Sequence, residues 1–455
     1  MRTAIEEYVR SLDLDAYLVG GALRDELLGL ESKDLDFLVP AVDIAALRAL
    51  LEPHGRVDDL MVASRPVGVR LFPKDRAVRK LAPAGIEFAP PRREESTGPG
   101  RHDFEIVVDP AASVEDDLAR RDFTVNAMAR RLDDDVVVDP FGGRADLDRR
   151  ILRTVSPRSF AEDPLRIVRG LRLVSQLDFD PDETTIRQMY EEASAVALVS
   201  AERIGGGLAA DGLGELSRLL LGSRPAKALR LARDTGVLVA LLPEFAPAIG
   251  FDPRSGDHRM TLDEHTFAVV QAAADGGAPL RVRLATVFHD LGKPDPATED
   301  HAAAGAEIAA VAMRRLRYPN DLCDRVVRIV RFHPFILGAG DALEARRLLA
   351  AHGDGVALDL VDHWQADLRG RDASPAVEEK LERVAQFRTV LEGELGSAHR
   401  LADLAVDGTD LIQIGYQPGP GLGRALDELL QAVVEDPSLN RRASLLERAS
   451  ELLAR

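Results

Sequence analysis

Cysteine, aromatic residues, long apolar runs and net positive charge are all scarce in this chain. One cysteine in 455 residues, Cys323, excludes an internal disulfide and a zinc site built on several thiolates. It falls in a helical pattern, where the role of a small buried hydrophobe is expected. Aromatic residues make up only 5%, which argues against base-stacking sheets as the main recognition device. No apolar run approaches the length of a helical membrane span, and the N-terminal MRTAIEEYVR has no apolar signal core, so a cytoplasmic chain with no membrane partner is expected. Lys and Arg number 58 against 76 Asp and Glu, a net charge of −18. That balance is unlike a general nucleic-acid binder, but phosphate binding needs only a local basic surface. Two candidates exist: the interval from Arg65 to Arg101, with nine Lys/Arg against four Asp/Glu, and the cluster Arg153, Arg158, Arg166, Arg169 and Arg172.

The composition is otherwise that of an ordinary soluble protein, 45% hydrophobic and 29% charged, and the length suggests three or four domains. Residues 1 to 155 mix short strand-like runs with helices and read as α+β. From Asp163 onward nearly every segment is helical in period, for example LRIVRGLRLVSQL. Pro90 to Arg101, PPRREESTGPGR, reads as a mobile loop. Breaker-rich segments at Gly250 to Asp257 and Gly415 to Gly423 separate later helical groups, the second preceding a last amphipathic helix pair.

The stretch Tyr17 to Val39, YLVGGALRDELLGLESKDLDFLV, concentrates the chemistry. An apolar run ends in Gly20-Gly21, a helical pattern with Arg24 and Asp25 follows, and a second apolar run carries Asp34 and Asp36. Period two places both carboxylates on one strand face. Side by side they repel unless a cation lies between them, which points to a divalent metal, and Mg²⁺ takes carboxylate oxygens together with substrate phosphates. The glycines allow backbone N–H groups close to a triphosphate. Farther on, Glu87 sits between apolar residues in a strand-like Gly85 to Phe88. In RRDFTVNA, Arg120 and Arg121 offer forked donors to phosphate, while Asp122 and Asn126 are spaced to bond a ribose 2′- and 3′-OH. Asp163 with Pro164 forms a sound helix start, after which Arg166 and Arg169 could simply face solvent or pair with Glu162.

The pattern GG-x-x-R-D-x-L-x-G followed by D-x-D resembles the head of the tRNA nucleotidyltransferase and bacterial poly(A) polymerase family, a branch of the DNA polymerase beta superfamily. RRDFTVNA resembles that family's second motif almost letter for letter. Asp139-Pro-Phe-Gly-Gly resembles its third, read here as a mainly structural turn, and Glu162-Asp163-x-x-Arg166 resembles its amino-acid template. The resemblance implies that Asp34 and Asp36, with Glu87 as a third carboxylate, hold Mg²⁺. It implies that Arg24, Arg120 and Arg121 contact phosphates, and that Asp163 and Arg166 present donor and acceptor groups to CTP or ATP, with Arg169 nearby. Arg92-x-Glu94 looks like the loop used in switching from CTP to ATP. Glu202-Arg203-Ile204 matches a further motif, although Gly205 to Gly207 is unexpected inside a helix.

Later in the chain His265, the pair His289-Asp290, and Asp367 resemble the H…HD…D set of HD-superfamily phosphohydrolases, which bind a divalent metal. His301 and His333 are candidates for a phosphate or a second metal. Together these imply a polymerase-beta-like head at residues 1–155, a helical neck and body at 156–250, an HD domain at 258–395 and a helical tail at 396–455. The implied activity is template-independent addition of the 3′-terminal CCA of tRNA, with tRNA, CTP and ATP as partners. The rivals are a relative adding only CC, only A or a poly(A) tail, and an HD-type phosphohydrolase whose head merely binds nucleotide.

Overall fold

A computed structural model of the chain describes residues 2–31, 35–62, 65–96, 104–206, 211–253, 260–334 and 337–454. These fall into two compact units, Met1–Ile204 with Lys227–Leu241, and Gly205–Ala226 with Leu242–Arg455.

The first unit carries the sheet. Among the described residues, those before residue 140 hold the strands β1 (Tyr17–Val19), β2 (Asp36–Leu38), β3 (Gly55–Val62), β4 (Arg65–Pro73), β5 (Ile86–Ala89), β6 (Arg92–Ser96), β7 (Phe104–Val108), β8 (Ala129–Arg131) and β9 (Val137–Val138). Seven of them form one sheet in the order β3-β4-β5-β2-β1-β8-β9. Only β2 and β5 run parallel within it; their register sets Asp36 beside Glu87 and Phe37 beside Phe88. The Phe37 and Phe88 rings stack at 5.5 Å in the core, so the alternate positions Asp36 and Glu87 share the opposite face. Burial of one face thereby fixes where the carboxylates go, since a slip of one residue would turn the phenylalanines out.

The α+β expectation holds, and helices dominate from Ser159 onward, where the described residues hold one short strand, Asp180–Pro181, paired back to Ile151–Leu152. The expected loop at 90–101 is different: Arg92–Ser96 is a strand, paired antiparallel with Phe104–Val108 from Arg92↔Val108 to Ser96↔Phe104. Pairing with the other arm of a hairpin overrides the local Pro/Gly signal there, and residues 97–101 lie outside the described residues. Glycine also does what its propensity demands after Ile204, where the helix Ala201–Ile204 ends. A Cβ on Gly205 would meet the Leu316 carbonyl oxygen at 2.2 Å; Gly207 lies outside the described residues.

The second unit is helical. Helices Leu262–Asp275, Leu280–Phe288, His301–Arg315, Asn320–Phe332 and Asp354–Arg369 pack together, and Pro375–Glu394 packs on the last of these and helps line a cavity. Cys323 is buried in Asn320–Phe332. The pair Pro420–Glu435 and Arg442–Leu453 closes the chain around Leu411, Leu429, Val433 and Leu445. No described helix is long and apolar enough to cross a membrane.

Candidate functional site

In the first unit, Asp36 and Glu87 stand side by side on adjacent strands, and Arg70 on β4 takes the next position across the sheet. Arg70 donates to Glu87 Oε1 from Nε at 3.1 Å and also from Nη2. Asp34 lies outside the described residues. Gly20 is held to glycine by a φ of +71°, and Arg121 Nη1 lies 2.5 Å from where a Cβ would sit. Gly21 begins the helix Gly21–Leu27, which carries Arg24.

Behind the glycines runs a buried polar chain. Arg24 donates to Asp25 Oδ1 at 2.6 and 2.9 Å and to Asn126 Oδ1 at 2.7 Å. Asn126 Nδ2 donates to Asp122 Oδ1 at 2.9 Å, and Arg169 Nε to Asp122 Oδ2 at 2.8 Å. Burial alone would raise the Asp122 carboxyl, but Arg169 and the Asn126 hydrogen bond hold it well below the usual range. Asp122 and Asn126 are not on one helix; Asn126 ends a short 3-10 turn, Thr124–Asn126. Arg120 and Arg121 both converge on the buried Asp117.

The Asp163 carboxylate has two partners: Oδ1 accepts from the Leu165 N–H at 3.1 Å and Oδ2 from Arg203 Nη2 at 3.2 Å, but the helix begins at Leu165 with Pro164 in the N-cap place, one residue later than expected, so Asp163 is not its N-cap. Arg166 is buried and donates to the Arg120 carbonyl at 2.7 Å. Asp139 ties its own turn together, accepting from the Gly143 and Arg144 N–H groups at 2.7 and 2.9 Å.

In the second unit, three helices and two helix ends bring the HD residues together, and all of them but His265 line a cavity of about 480 Å³. His265 Nε2 lies 3.1 Å from Asp367 Oδ1 and 3.8 Å from Asp290 Oδ2; His289 Nε2 lies 3.1 Å from Asp290 Oδ2 and 3.8 Å from Asp367 Oδ1. His333 and His301 approach the other Asp290 oxygen at 3.4 and 3.6 Å. Two candidate metal sets therefore share Asp290: His265 with His289, and His301 with His333. The groups behind the imidazoles favour a metal. His289 Nδ1 faces the Thr286 carbonyl at 2.9 Å and His333 Nδ1 the Val330 carbonyl at 2.7 Å, and a carbonyl only accepts, so each Nδ1 carries the proton. Each Nε2 then offers a lone pair toward a carboxylate, and two acceptors that close require a cation between them, a ring proton or a metal. Buried His289 Nε2 makes no hydrogen bond among the described residues. The donor set suits a divalent transition metal. Burial would raise the Asp290 and Asp367 carboxyls; with ring protons as the cations, His289, His333 and Lys293 hold the first, and His265, His289 and Arg371 the second, well below the usual range.

Several residues of these sites were not singled out by sequence reasoning. Lys293 Nζ lies 2.6 Å from Asp290 Oδ2, and Arg371 Nη2 2.7 Å from Asp367 Oδ2. Their i+3 and i+4 spacing from the acids was a usable signal. His363, wholly buried against the His289 and His333 rings, stands one turn before Asp367 on the same helix, which was also legible. Arg203 fell in the Glu202-Arg203-Ile204 motif without a role assigned to it, and Arg70 carried no local signal.

Comparison with known proteins agrees with this arrangement. Family models match residues 16–153 (poly A polymerase head domain), 178–249 (RNA and SrmB-binding site of polymerase A), 262–362 (HD domain) and 374–449 (tRNA nucleotidyltransferase domain 2). Similar curated proteins include the multifunctional CCA proteins of Ralstonia nicotianae (36% identical, over 70% of this chain and 72% of that one) and Cupriavidus taiwanensis (37%, over 79% and 85%). Among solved structures, the Bacillus stearothermophilus CCA-adding enzyme in complex with CTP is 26% identical with a TM-score of 0.69, covering 99% of this chain and 97% of that one. The Thermotoga maritima CCA-adding enzyme complexed with tRNA, 20% identical with a TM-score of 0.57 over 97% and 92%, shares the fold.

Proposed function

This chain belongs to the multifunctional CCA protein family of tRNA nucleotidyltransferases, and we infer from that membership that it adds or restores the 3′-terminal CCA of tRNA from CTP and ATP without a nucleic-acid template. The observation that carries the reading is the register of β2 and β5, which pairs Asp36 with Glu87 in the same unit as the Arg120–Arg121 pair and the Asp163–Arg166 pair.

Asp34, Asp36 and Glu87 would hold Mg²⁺, which when bound lowers the pKa of the primer 3′-OH and neutralises the departing pyrophosphate. Arg120 and Arg121 orient the triphosphate by forked hydrogen bonds. Arg24, fixed by Asp25 and Asn126, supports the glycine turn, and the Asp122–Asn126–Arg169 chain faces the ribose. Asp163 and Arg166 read the base edge. Residues 1–155 form the catalytic head, 156–250 the neck and body, 258–395 the HD domain and 396–455 the tail, in a cytoplasmic protein.

The shared Asp290 supports a second activity of the HD site, metal-dependent hydrolysis of phosphate esters such as 2′,3′-cyclic phosphates at damaged RNA ends. Lys293 and Arg371 there are placed to hold the substrate phosphate. The decisive experiment for the main activity offers the protein a tRNA transcript ending at the discriminator base with CTP, ATP or both, and sizes the product. Three added nucleotides with both triphosphates is the expected result; two added, or a long A tail, would reassign the enzyme to a specialised relative.

A further inference from the structure

Asp117 sits in the six-residue helix Val114–Ala119 with no exposed surface. Its Oδ1 accepts from Arg120 Nη2 at 2.8 Å and Nε at 3.0 Å, and from the backbone N–H of Arg92 at 3.3 Å. Its Oδ2 accepts from Arg121 Nη2 at 3.0 Å and Nε at 3.3 Å. One buried carboxylate thus engages two guanidinium forks and the first residue of β6, and Arg121 in turn lies against Gly20. A buried carboxylate is stable only while it is paired and hydrogen-bonded, so movement of any one of these partners is felt by the others.

We propose that Asp117 is a positioning residue that couples the arginine pair to the β6–β7 hairpin, so that occupation of the triphosphate site is transmitted to the hairpin backbone. This rests on reading Arg120 and Arg121 as the triphosphate-binding pair. An anion reaching the two guanidinium groups competes with the carboxylate for the same donors. The Asp117 oxygen then shares itself differently between Arg120 and the Arg92 N–H, which is the physical link. Asparagine keeps the size but replaces one acceptor oxygen by a donor that cannot face a guanidinium.

The test uses the full chain as wild type, Asp117→Asn, Asp117→Glu and Arg121→Ala, each assayed well below its own melting temperature. KM and kcat for CTP are measured on a tRNA transcript lacking CCA, and hydrogen exchange is followed in a peptide covering 91–96 with and without CTP. Wild type should show slowed or accelerated exchange in that peptide when CTP binds. Asp117→Asn should abolish the response and raise KM about ten-fold, the loss expected for charge-assisted hydrogen bonds, with Asp117→Glu restoring part of both. A response to saturating CTP that persists unchanged in Asp117→Asn would overturn the coupling, as would a wild-type hairpin indifferent to CTP. Arg121→Ala separates the two layers: an unchanged KM in that variant defeats the triphosphate reading itself, whereas a raised KM there beside an unchanged one in Asp117→Asn defeats only the present inference.

Discussion

Gly20→Ala is the substitution whose cost is most directly worked from the structure. At φ +71° and ψ −137°, position 20 lies where an L side chain is strained, which costs about 1–3 kcal/mol. The new Cβ would also stand 2.5 Å from Arg121 Nη1. That atom is the far end of a flexible side chain, so the contact is relieved by moving the guanidinium, and the backbone strain dominates the stability loss. For a unit of roughly 200 residues each kcal/mol lowers the melting temperature by about 2–4 °C, so a loss of about 4–8 °C is expected at the middle of the range. Calorimetry of the full chain should show it in the transition of the first unit. The displaced Arg121 should separately raise KM for CTP. Adding Arg121→Ala removes the contact and leaves the strain, so Gly20→Ala should lower the melting temperature in the Arg121→Ala background by nearly as much as in wild type. If Gly20→Ala melts with the wild type, the strain argument is wrong. If the stability loss vanishes in the Arg121→Ala background, the clash and not the backbone was the cause.

The other predictions concern the remaining sites. Asp290→Ala should lose bound divalent metal, measured by elemental analysis after dialysis against Mn²⁺, Ni²⁺ or Co²⁺, and lose hydrolysis of 2′,3′-cyclic AMP, while CCA addition stays near wild type; equal turnover by both proteins, or none by either, would make the HD set a relic. Asp163→Ala should change which of CTP, ATP, UTP and GTP is incorporated; a loss of about 1 kcal/mol in stability with unchanged nucleotide preference would leave Asp163 only its bonds to the Leu165 N–H and Arg203. Asp117 and Asp122 are both held below the ordinary carboxylate value of 3.8, so in acid the unfolded chain binds more protons than the folded one. Their stabilisation is fully present above about pH 4 and should fade as pH falls through the folded values. Asp122→Asn should flatten that acid limb in a urea titration against pH, and an unchanged limb would refute the assignment.

What could be read from the sequence was whatever short-range periodicity and chain stereochemistry dictate. Alternation in Leu35 to Leu38 placed Asp36 on the face opposite Phe37, and the structure keeps Phe37 inside. Ser113 with Asp116 closes a capping box ahead of the arginine pair, and His289-Asp290 falls at a helix end because an apolar helix runs up to it. Such features depend on neighbours a few residues away, and local geometry is nearly the same wherever the segment sits in the fold. Tertiary structure decided the partners. Arg24 with Asn126 and His265 with Asp367 are each separated by 102 residues, and Arg203 meets Asp163 across 40. Those encounters follow from which faces pack together and which loops close, and the free energy that selects them is spread over the whole buried core, so no window of sequence contains it.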